Sequence, residues 1–349
     1  MTLTVTDSPI GRLNLAGTIM SKRGLKKLVD QKIIRGWDDP RIYTLIALRR
    51  RGVPAAALLA FVNELGVTTS RTFIQIHRFE QSIRRYLETT APRLMLVLDP
   101  IPVFIENFST SGLKETQLDI PFSPKNPAMG SYKLPATQTV YIEREDFREE
   151  DSKDYFRLAP GKVVGLYQFA YPIKATSFTK DEGTGLITGV KAVLELEEGT
   201  KPKTYIHWVP NDSRKVEVRI HNNLFNSSDP ASVEGGFMND INPNSETIYS
   251  EALVSSGLDE VRKTAPWPHL DSELAGRDTG PESVRFQAMR VAYLVSVPTT
   301  SSKIFSLDPS AVWEGWIKGE SRIDLTDVSS RPWIRTVPMI TWFSTGSYP

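Results

Sequence analysis

Apolar side chains in the first ninety positions recur at the three- and four-residue spacing of amphipathic helices. This spacing predicts a compact unit of four helices. The fourth helix should turn Phe73, Ile76, Phe79, Ile83 and Leu87 inward. The first predicted helix follows Ser21, the second spans Arg41–Arg51 behind Pro40, the third begins after Pro54 and the fourth spans Thr72–Thr89.

After Pro92 the pattern changes to short apolar runs punctuated by Pro and Gly, which indicates strands. Short strands at this spacing favour barrels over a parallel sheet. Residues 226–283 are rich in Ser, Asn, Asp, Glu and Gly, so a loop-rich segment is expected there. The predicted strands are Leu94–Leu98, Val103–Ile105, Thr139–Ile142, Val163–Leu166, Gly189–Leu196, Thr204–Val209 and Val216–Ile220.

Composition excludes several classes of function. The chain has no cysteine, which rules out disulfides, thiolate catalysis and cysteine-ligated zinc. It has no apolar run of about 18 residues and no signal-like N-terminus, so a cytoplasmic protein without a membrane partner is expected. The net charge is only +1, but residues 12–52 carry 11 Lys and Arg against 3 Asp. Such a basic segment favours a polyanionic partner, or else forms a solvated helix face.

Three ordered motifs indicate a specific chemistry. The weak motif Met20–Arg23 (MSKR) opens a basic helix, and it is followed by Gly36–Arg41 (GWDDPR) and Leu48–Gly52 (LRRRG). Together they resemble the class I glutamyl/glutaminyl-tRNA synthetases, in which a KMSKS-type loop precedes GWDDPR and LRRRG. In that family the lysine of the loop binds ATP phosphates, where a mobile cation stabilises charge developing on the leaving pyrophosphate.

Further blocks extend the resemblance from about Gly11 to Tyr293. They favour the eukaryotic glutaminyl branch, although the eukaryotic glutamyl enzymes share the same two-barrel layout. The blocks are Ala91–Met95, Pro127–Ser131, Asp146–Leu158, Ile206–Val209 and Phe286–Arg290.

The resemblance implies an α + β fold, with a helical subdomain followed by two all-β barrels of the ribosomal L25-like, anticodon-binding type. No HIGH-type motif surrounds any of the four histidines, so the Rossmann catalytic domain is expected to be absent. The expected divisions are 1–20 (catalytic remnant and start of the KMSKS-type loop), 21–92 (helical), 93–135 with 210–293 (proximal barrel), 136–209 (distal barrel) and 294–349 (divergent tail).

The resemblance also implies ATP-dependent attachment of glutamine to tRNA-Gln, with ATP and Mg²⁺ serving the complete enzyme. This chain is expected to supply tRNA binding, anticodon reading and the KMSKS-type loop, and to be catalytically incomplete alone because reacting groups must be positioned together. A non-catalytic tRNA-binding module and a glutamate–tRNA ligase are the alternatives. A monomer is expected, with other synthetases in a complex as further partners and no DNA.

The residues carried over by resemblance fall into three groups, and no metal ligand is among them. An unstacked anticodon base exposes its hydrogen-bonding edge, which arginine can pair and an aromatic ring can stack on. Each arginine can instead pair with a carboxylate inside a barrel, and His207 is more typical of a core histidine. Gly36–Arg41 is expected to be structural. The groups are Lys22 with Met20, Ser21 and Arg23 for ATP; Arg93, Asp154, Phe156, Arg157, Gln287 and Arg290 for the anticodon; and Lys26, Lys27, Arg49, Arg50 and Arg51 for the tRNA backbone.

Overall fold

A computed structural model describes residue 11, residues 13–66, 69–70, 72–113, 116–197, 201–265 and 281–296, and the backbone of 311–316. These residues form an α + β fold in which helices precede two large curled sheets. The α-helices are α1 (Lys22–Asp30), α2 (Leu45–Arg50), α3 (Ala55–Leu65), α4 (Ile76–Thr90) and α5 (Gly257–Thr264). The strands are β1 (Leu13–Leu15), β2 (Thr72–Ile74), β3 (Arg93–Leu94), β4 (Leu96–Val97), β5 (Pro100–Ile105), β6 (Gln117–Pro121), β7 (Ser131–Pro135), β8 (Thr139–Glu143), β9 (Val163–Leu166), β10 (Ile173–Lys180), β11 (Ile187–Leu194), β12 (Tyr205–Ile206), β13 (Val209–Pro210), β14 (Arg214–His221), β15 (Glu246–Val254), β16 (Arg285–Ala288), β17 (Ala292–Ser296) and β18 (Ala311–Trp316).

The second helix is shorter than the sequence predicted. It begins after Thr44, whose Oγ1 accepts the Ala47 N–H at 3.1 Å, and not behind Pro40. The expectation of a helix from Arg41 was wrong because the Asp39 carboxylate accepts the Arg41 N–H and holds this stretch in a turn. A side-chain cap satisfies an N–H that a helix start leaves unpaired, which explains why Thr44 marks the boundary.

The predicted fourth helix is a strand followed by a helix. β2 pairs in parallel with β1, and only then does α4 begin. Because side chains alternate along a strand, Ile74 is buried while Phe73 is 76% exposed, so the inward position expected for Phe73 was wrong. Within α4 the predicted stripe is confirmed at Phe79, Ile83 and Leu87, which are buried against α2 and α3 residues in the helical core.

Sheet A has the strand order β12-β9-β10-β11-β5-β8-β13. Its two end strands, β12 and β13, are separated along the chain by only His207 and Trp208. The sheet must therefore curl until its ends nearly meet, and Trp208 lies fully buried at this junction. β5 pairs with β8 and β11, so residues 100–105 are part of this sheet.

Sheet B has the order β3-β16-β17-β18-β14-β15-β4. Its end strands β3 and β4 flank the single residue Met95, so this sheet also curls until its ends meet. One apolar core runs through both sheets and contains side chains of each, among them Leu94, Trp208 and Phe286. The core therefore holds the residues around Arg93 and His207 in a fixed relation.

Two segments differ from their expected character. The stretch 226–283, expected to be loop-rich, contains β15 and α5, because alternating apolar residues such as Ala252 and Val254 face the core of sheet B. Of the expected tail 294–349, the structure describes residues up to Ser296, which end β17, and the backbone of β18, which pairs with β14 and β17. The rest of the tail lies outside the described residues.

Candidate nucleic-acid interface

The KMSKS-type motif lies at the start of α1, with its cations directed to solvent. Ser21 Oγ accepts the Gly24 N–H at 3.1 Å and caps the helix. Met20 is partly buried against the helical core, which anchors the motif. Lys22 and Arg23 follow the cap and are exposed, so both can approach an anion beside this end of the helix.

A basic face continues along α1 and onto α2. Lys26 and Lys27 are exposed, and the Lys27 ammonium lies 5.4 Å from the centre of the Phe237 ring. Arg49 is exposed on α2. These three side chains present positive charge to solvent, as a surface for RNA phosphates requires.

Arg50 and Arg51, predicted to contact the tRNA backbone, lie inside the helical unit. Arg50 Nη1 donates to Asp38 Oδ2 at 2.8 Å. Arg51 Nε donates to the Pro40 carbonyl at 2.7 Å, and its guanidinium lies over the Tyr43 ring. Both arginines are less than a tenth exposed. Their contacts with Asp38 and with the Pro40 carbonyl shape the Gly36–Arg41 turn.

The second motif is built around a buried carboxylate. Asp39 is fully buried and accepts two hydrogen bonds from the Arg41 guanidinium, at 2.9 and 2.8 Å. It also accepts the backbone N–H groups of Arg35 and Arg41 at 3.0 Å. Burial opposes ionisation, but the Arg41 guanidinium outweighs it and holds the pKa of Asp39 below its usual value. These contacts support the structural role expected for this motif.

Arg93 and Gln287 are neighbours across two paired strands. They are register partners in the parallel pair of β3 and β16. The Gln287 N–H donates to the Pro92 carbonyl at 2.8 Å, and the Arg93 N–H donates to the Phe122 carbonyl at the same distance. Arg93 is 8% exposed and Gln287 is half-buried. The fold therefore brings together two residues that are 194 positions apart in the sequence.

Arg157 and Arg290 converge on one buried carboxylate, that of Asp146. Arg290 binds it in a bidentate manner, Nη1 to Oδ2 at 2.7 Å and Nη2 to Oδ1 at 2.8 Å. Arg157 Nη1 lies 3.0 Å from the same Oδ1 and donates to the Glu145 carbonyl at 3.3 Å. Bidentate guanidinium–carboxylate pairs are among the more strongly oriented contacts in proteins, so both arginines are held in place.

His207 completes this cluster as a neutral, buried side chain. Its Nδ1 lies 3.1 Å from Arg290 Nη1, and an arginine can only donate, so Nδ1 accepts and the proton is on Nε2. Burial, together with the positive charge of Arg290, lowers the pKa of His207 to about 4. The neighbouring arginines hold the pKa of Asp146 below its ordinary value against the opposing effect of burial. The buried, hydrogen-bonded histidine agrees with the core role expected for it.

Phe156 lies beside an open groove. Its ring is 41% exposed, and Lys162 Nζ is 5.9 Å from the ring centre. Asp154, the other predicted contact here, is also exposed. The groove has a volume of about 490 Å³, within the roughly 300–1,000 Å³ range of small-ligand sites. Its lining residues are Asp151, Ser152, Lys153, Phe156, Lys162 and Lys203.

Sequence reasoning missed the groove lysines and the central role of Asp146. Lys153 and Lys162 flank Phe156 within ten positions, and basic side chains around an aromatic residue are a signal for single-strand binding that the sequence contains. Lys203 is distant in sequence, and only the folding of sheet A brings it to the groove. Asp146 stands in the strongest motif block, but nothing in the sequence indicates that its partner is Arg290.

Three sequence models of one family match this chain. Residues 5–89 match the model described as tRNA synthetases class I (E and Q), catalytic domain. Residues 91–195 and 205–266 match two models described as tRNA synthetases class I (E and Q), anti-codon binding domain. The first of these two ranges includes Arg93, Asp146 and the groove residues from Asp151 to Lys162.

Curated relatives agree with these matches. The chain is 60% identical over 295 residues to "Glutamine--tRNA ligase protein virJ" of Hypocrea virens, covering 84% of this chain and 45% of that protein. It is 45% identical over 311 residues to "Glutamine--tRNA ligase" of Saccharomyces cerevisiae, covering 84% and 38%. It is 42% identical over 257 residues to "Glutamine--tRNA ligase, cytoplasmic" of Arabidopsis thaliana, covering 72% and 32%. The chain thus spans less than half the length of each of these relatives.

Proposed function

The chain belongs to the class I (E and Q) tRNA synthetases, in their glutaminyl branch, and we propose that it binds tRNA-Gln and recognises its anticodon for ATP-dependent glutamine–tRNA ligation. The observation that carries this proposal is the grouping of the predicted reading residues. Arg157 and Arg290 share Asp146, while Gln287, on the strand that leads to Arg290, pairs with Arg93. The names of the relatives favour glutamine over the glutamate alternative.

We propose that sheets A and B are the distal and proximal barrels of an anticodon-binding region of the ribosomal L25-like type. The meeting of each sheet's ends, at His207–Trp208 and at Met95, supports closure of both barrels. In this proposal residues 100–105 and 139–210 form the distal barrel, and the proximal barrel takes β3, β4 and the strands from 214 onward. The helical unit before residue 92 carries the KMSKS-type motif at the start of α1 and precedes the barrels in the sequence.

The proposed reading residues differ in the chemistry they offer. Arg157 and Arg290 present oriented donors to base edges or phosphate oxygens, and Gln287 offers both a donor and an acceptor. Asp154 is exposed and accepts only, so it suits an exocyclic amino group. Phe156 offers an exposed ring for stacking, and Lys153, exposed in the same groove, can neutralise phosphate, whereas Lys162 is paired with Asp151. Arg93, almost buried in β3, supports Gln287 from the neighbouring strand.

We assign the tRNA backbone contacts to Lys26, Lys27 and Arg49, which are exposed. Arg50 and Arg51 keep a structural role beneath this face, because their guanidinium groups are committed to Asp38 and to the Pro40 carbonyl. Phosphate contacts carry no base information, so this face adds affinity for any tRNA and fixes its orientation.

Lys22 is the residue we propose for the ATP phosphates, beside Arg23 and behind the Ser21 cap. Its exposed ammonium fits this role, since it can follow charge that moves onto a leaving pyrophosphate. Within the described residues no three His, Asp or Glu side chains are grouped to hold a metal ion.

For its setting in the cell we propose a cytoplasmic monomer whose partners are tRNA-Gln and, in a complex, other synthetases, without DNA or a membrane. The name of the Arabidopsis relative supports the location. In the described part of the chain no helix has both the length and the apolar character needed to cross a membrane.

Binding of the full chain to tRNA-Gln across a salt series tests the proposed function. Each phosphate contact contributes about 0.7–0.9 to the slope of log affinity against log salt, so contacts by Lys26, Lys27 and Arg49 predict a slope of roughly −2 to −3. Between 50 and 200 mM salt the affinity should fall by roughly 20- to 40-fold. A flat salt dependence, or equal affinity for tRNA-Gln and a tRNA with an unrelated anticodon, would refute the proposal.

A further inference from the structure

Asp146 is placed so that one carboxylate serves both candidate reading arginines. It is fully buried, and its two oxygens accept three guanidinium contacts between 2.7 and 3.0 Å. Its backbone is fixed as well, because the Leu158 N–H donates to the Asp146 carbonyl at 3.0 Å. The backbone of Asp146 is thus tied to the residue that follows Arg157, while its carboxylate is held by the guanidinium groups.

The two arginines reach Asp146 from different sheets. Arg157 stands in the loop before β9 of sheet A, while Arg290 stands in the turn between β16 and β17 of sheet B. Arg290 has a φ of +64°, a conformation that glycine adopts with less strain. The residue at this glycine-favouring position is nevertheless an arginine, and its side chain contacts Asp146 and His207.

The charges do not cancel within the cluster. Asp146 is ionised and His207 is neutral, so two guanidinium groups share this carboxylate, and Glu143, the other carboxylate acting on Arg290, has its pKa raised to about 7 by burial and offsets the remaining positive charge only in part. The Arg157 side chain is 37% exposed and that of Arg290 is 25% exposed, whereas the Asp146 side chain is inaccessible. The excess charge therefore faces solvent from two guanidinium groups whose positions a single anion fixes.

We infer that Asp146 is a positioning residue that holds Arg157 and Arg290 as one unit, so that the two arginines recognise the anticodon jointly and not independently. This inference rests on the proposed anticodon-reading function. His207 supports the unit by accepting from Arg290 Nη1, which limits rotation of that guanidinium. Asp146 itself touches no RNA in this arrangement.

The test measures binding of the full chain to fluorescent tRNA-Gln transcripts by anisotropy. The transcripts carry either the glutamine anticodon or one substituted anticodon base, at each position in turn. Asp146→Asn should lower the preference for the glutamine anticodon by roughly tenfold, the scale of one well-placed bidentate contact. Its affinity for the substituted transcripts should change by less than about threefold, because phosphate contacts elsewhere are intact.

Glu246→Gln is the matched control, because Glu246 holds a partly buried ion network of its own with Arg35 and His221. This variant should keep the wild-type preference. An Asp146→Asn protein that keeps the full preference overturns the inference, and so does an equal loss of preference in Glu246→Gln. If the wild-type chain shows no preference at all, the proposed function fails first and the inference falls with it.

A double-mutant cycle covers the case in which Asp146→Asn does not fold. Arg157→Ala and Arg290→Ala are compared singly and together with the same transcripts. If recognition is joint, the fold-loss of anticodon preference in the double variant should be roughly ten times smaller than the product of the fold-losses in the two single variants. Losses that simply multiply would overturn the inference.

Discussion

The contact between the helical unit and sheet B depends on Glu246, and replacing it by Gln should destabilise the protein. Both oxygens of the Glu246 carboxylate accept from Nη2 of Arg35, which follows α1, and one of them also accepts a hydrogen bond from the buried His221 at 3.1 Å. The His221 hydrogen bond, first, and the Arg35 guanidinium lower the pKa of Glu246 from its usual 4.5 to about 2. Gln has the same shape but cannot carry the charge.

The magnitude follows from this pKa difference. At about 1.4 kcal/mol per pKa unit, a depression from 4.5 to about 2 corresponds to roughly 3 kcal/mol of stability. The Glu246 side chain is 17% exposed and that of Arg35 is 36% exposed, so solvent screening reduces the figure to about 1–2 kcal/mol. Because the folded pKa is depressed, this stabilisation is complete above pH 4.5 and is lost as the pH falls toward 2.

Urea denaturation of the full chain at pH 7 and at pH 3.5 measures the effect. At pH 7 Glu246→Gln should lower the free energy of unfolding by about 1–2 kcal/mol, and at pH 3.5 the difference should be smaller. Glu251→Gln is the matched control on the same strand, because Glu251 and its partner Lys215 are more than half exposed and should contribute under about 0.5 kcal/mol. Equal effects of the two substitutions, or a difference that grows in acid, would refute the reasoning.

Three further predictions address separate parts of the protein. Lys26→Ala should weaken binding of all tRNAs alike and reduce the salt slope by about 0.7–0.9. Arg50→Ala should instead lower the thermal midpoint, because Arg50 is paired with Asp38 inside the helical unit. The reverse pattern would contradict the assignment. Phe156→Leu should cost about 1–3 kcal/mol of anticodon stem–loop binding by loss of stacking, while Phe104→Leu, at a ring of similar exposure, should leave binding unchanged in a titration. Burial raises the pKa of Glu80 to about 7, so the stability of the wild-type protein should fall as the pH rises from 4.5 through 7. The difference in thermal midpoint between Glu80→Gln and the wild-type protein should therefore be more favourable to the variant at pH 8 than at pH 5.

Much of the fold could be predicted because local pattern and tertiary packing agree. The α4 stripe and the strands β8, β9 and β14 follow their apolar periodicity. Prediction failed where tertiary contacts decide. Asp39 holds residues 35–41 in a turn that helix propensity does not reveal, and Thr72–Ile74 becomes a strand only because β1 lies beside it. The polar composition of 226–283 concealed β15, whose outward face is polar because the strand is buried on one side only.

The candidate site was predicted in its residue types but not in its connections. Motif resemblance indicated Arg157, Gln287 and Arg290, yet no local pattern shows that Arg157 and Arg290 share Asp146 across two sheets. For the basic face, sequence could count the cations near Leu48–Gly52 but could not separate exposed Arg49 from buried Arg50. Burial and pairing depend on the whole fold, and charge counts carry no such information.

Chemical footprinting of tRNA-Gln tests the central claim most directly. Base-specific reagents would probe the Watson–Crick edges of the three anticodon bases with and without the full chain, and with Arg157→Ala in its place. The wild-type chain should protect these edges, and Arg157→Ala should restore reactivity at one or more of them while the tRNA stays bound. Anticodon bases that remain fully reactive in a saturated complex with the wild-type chain would contradict the account.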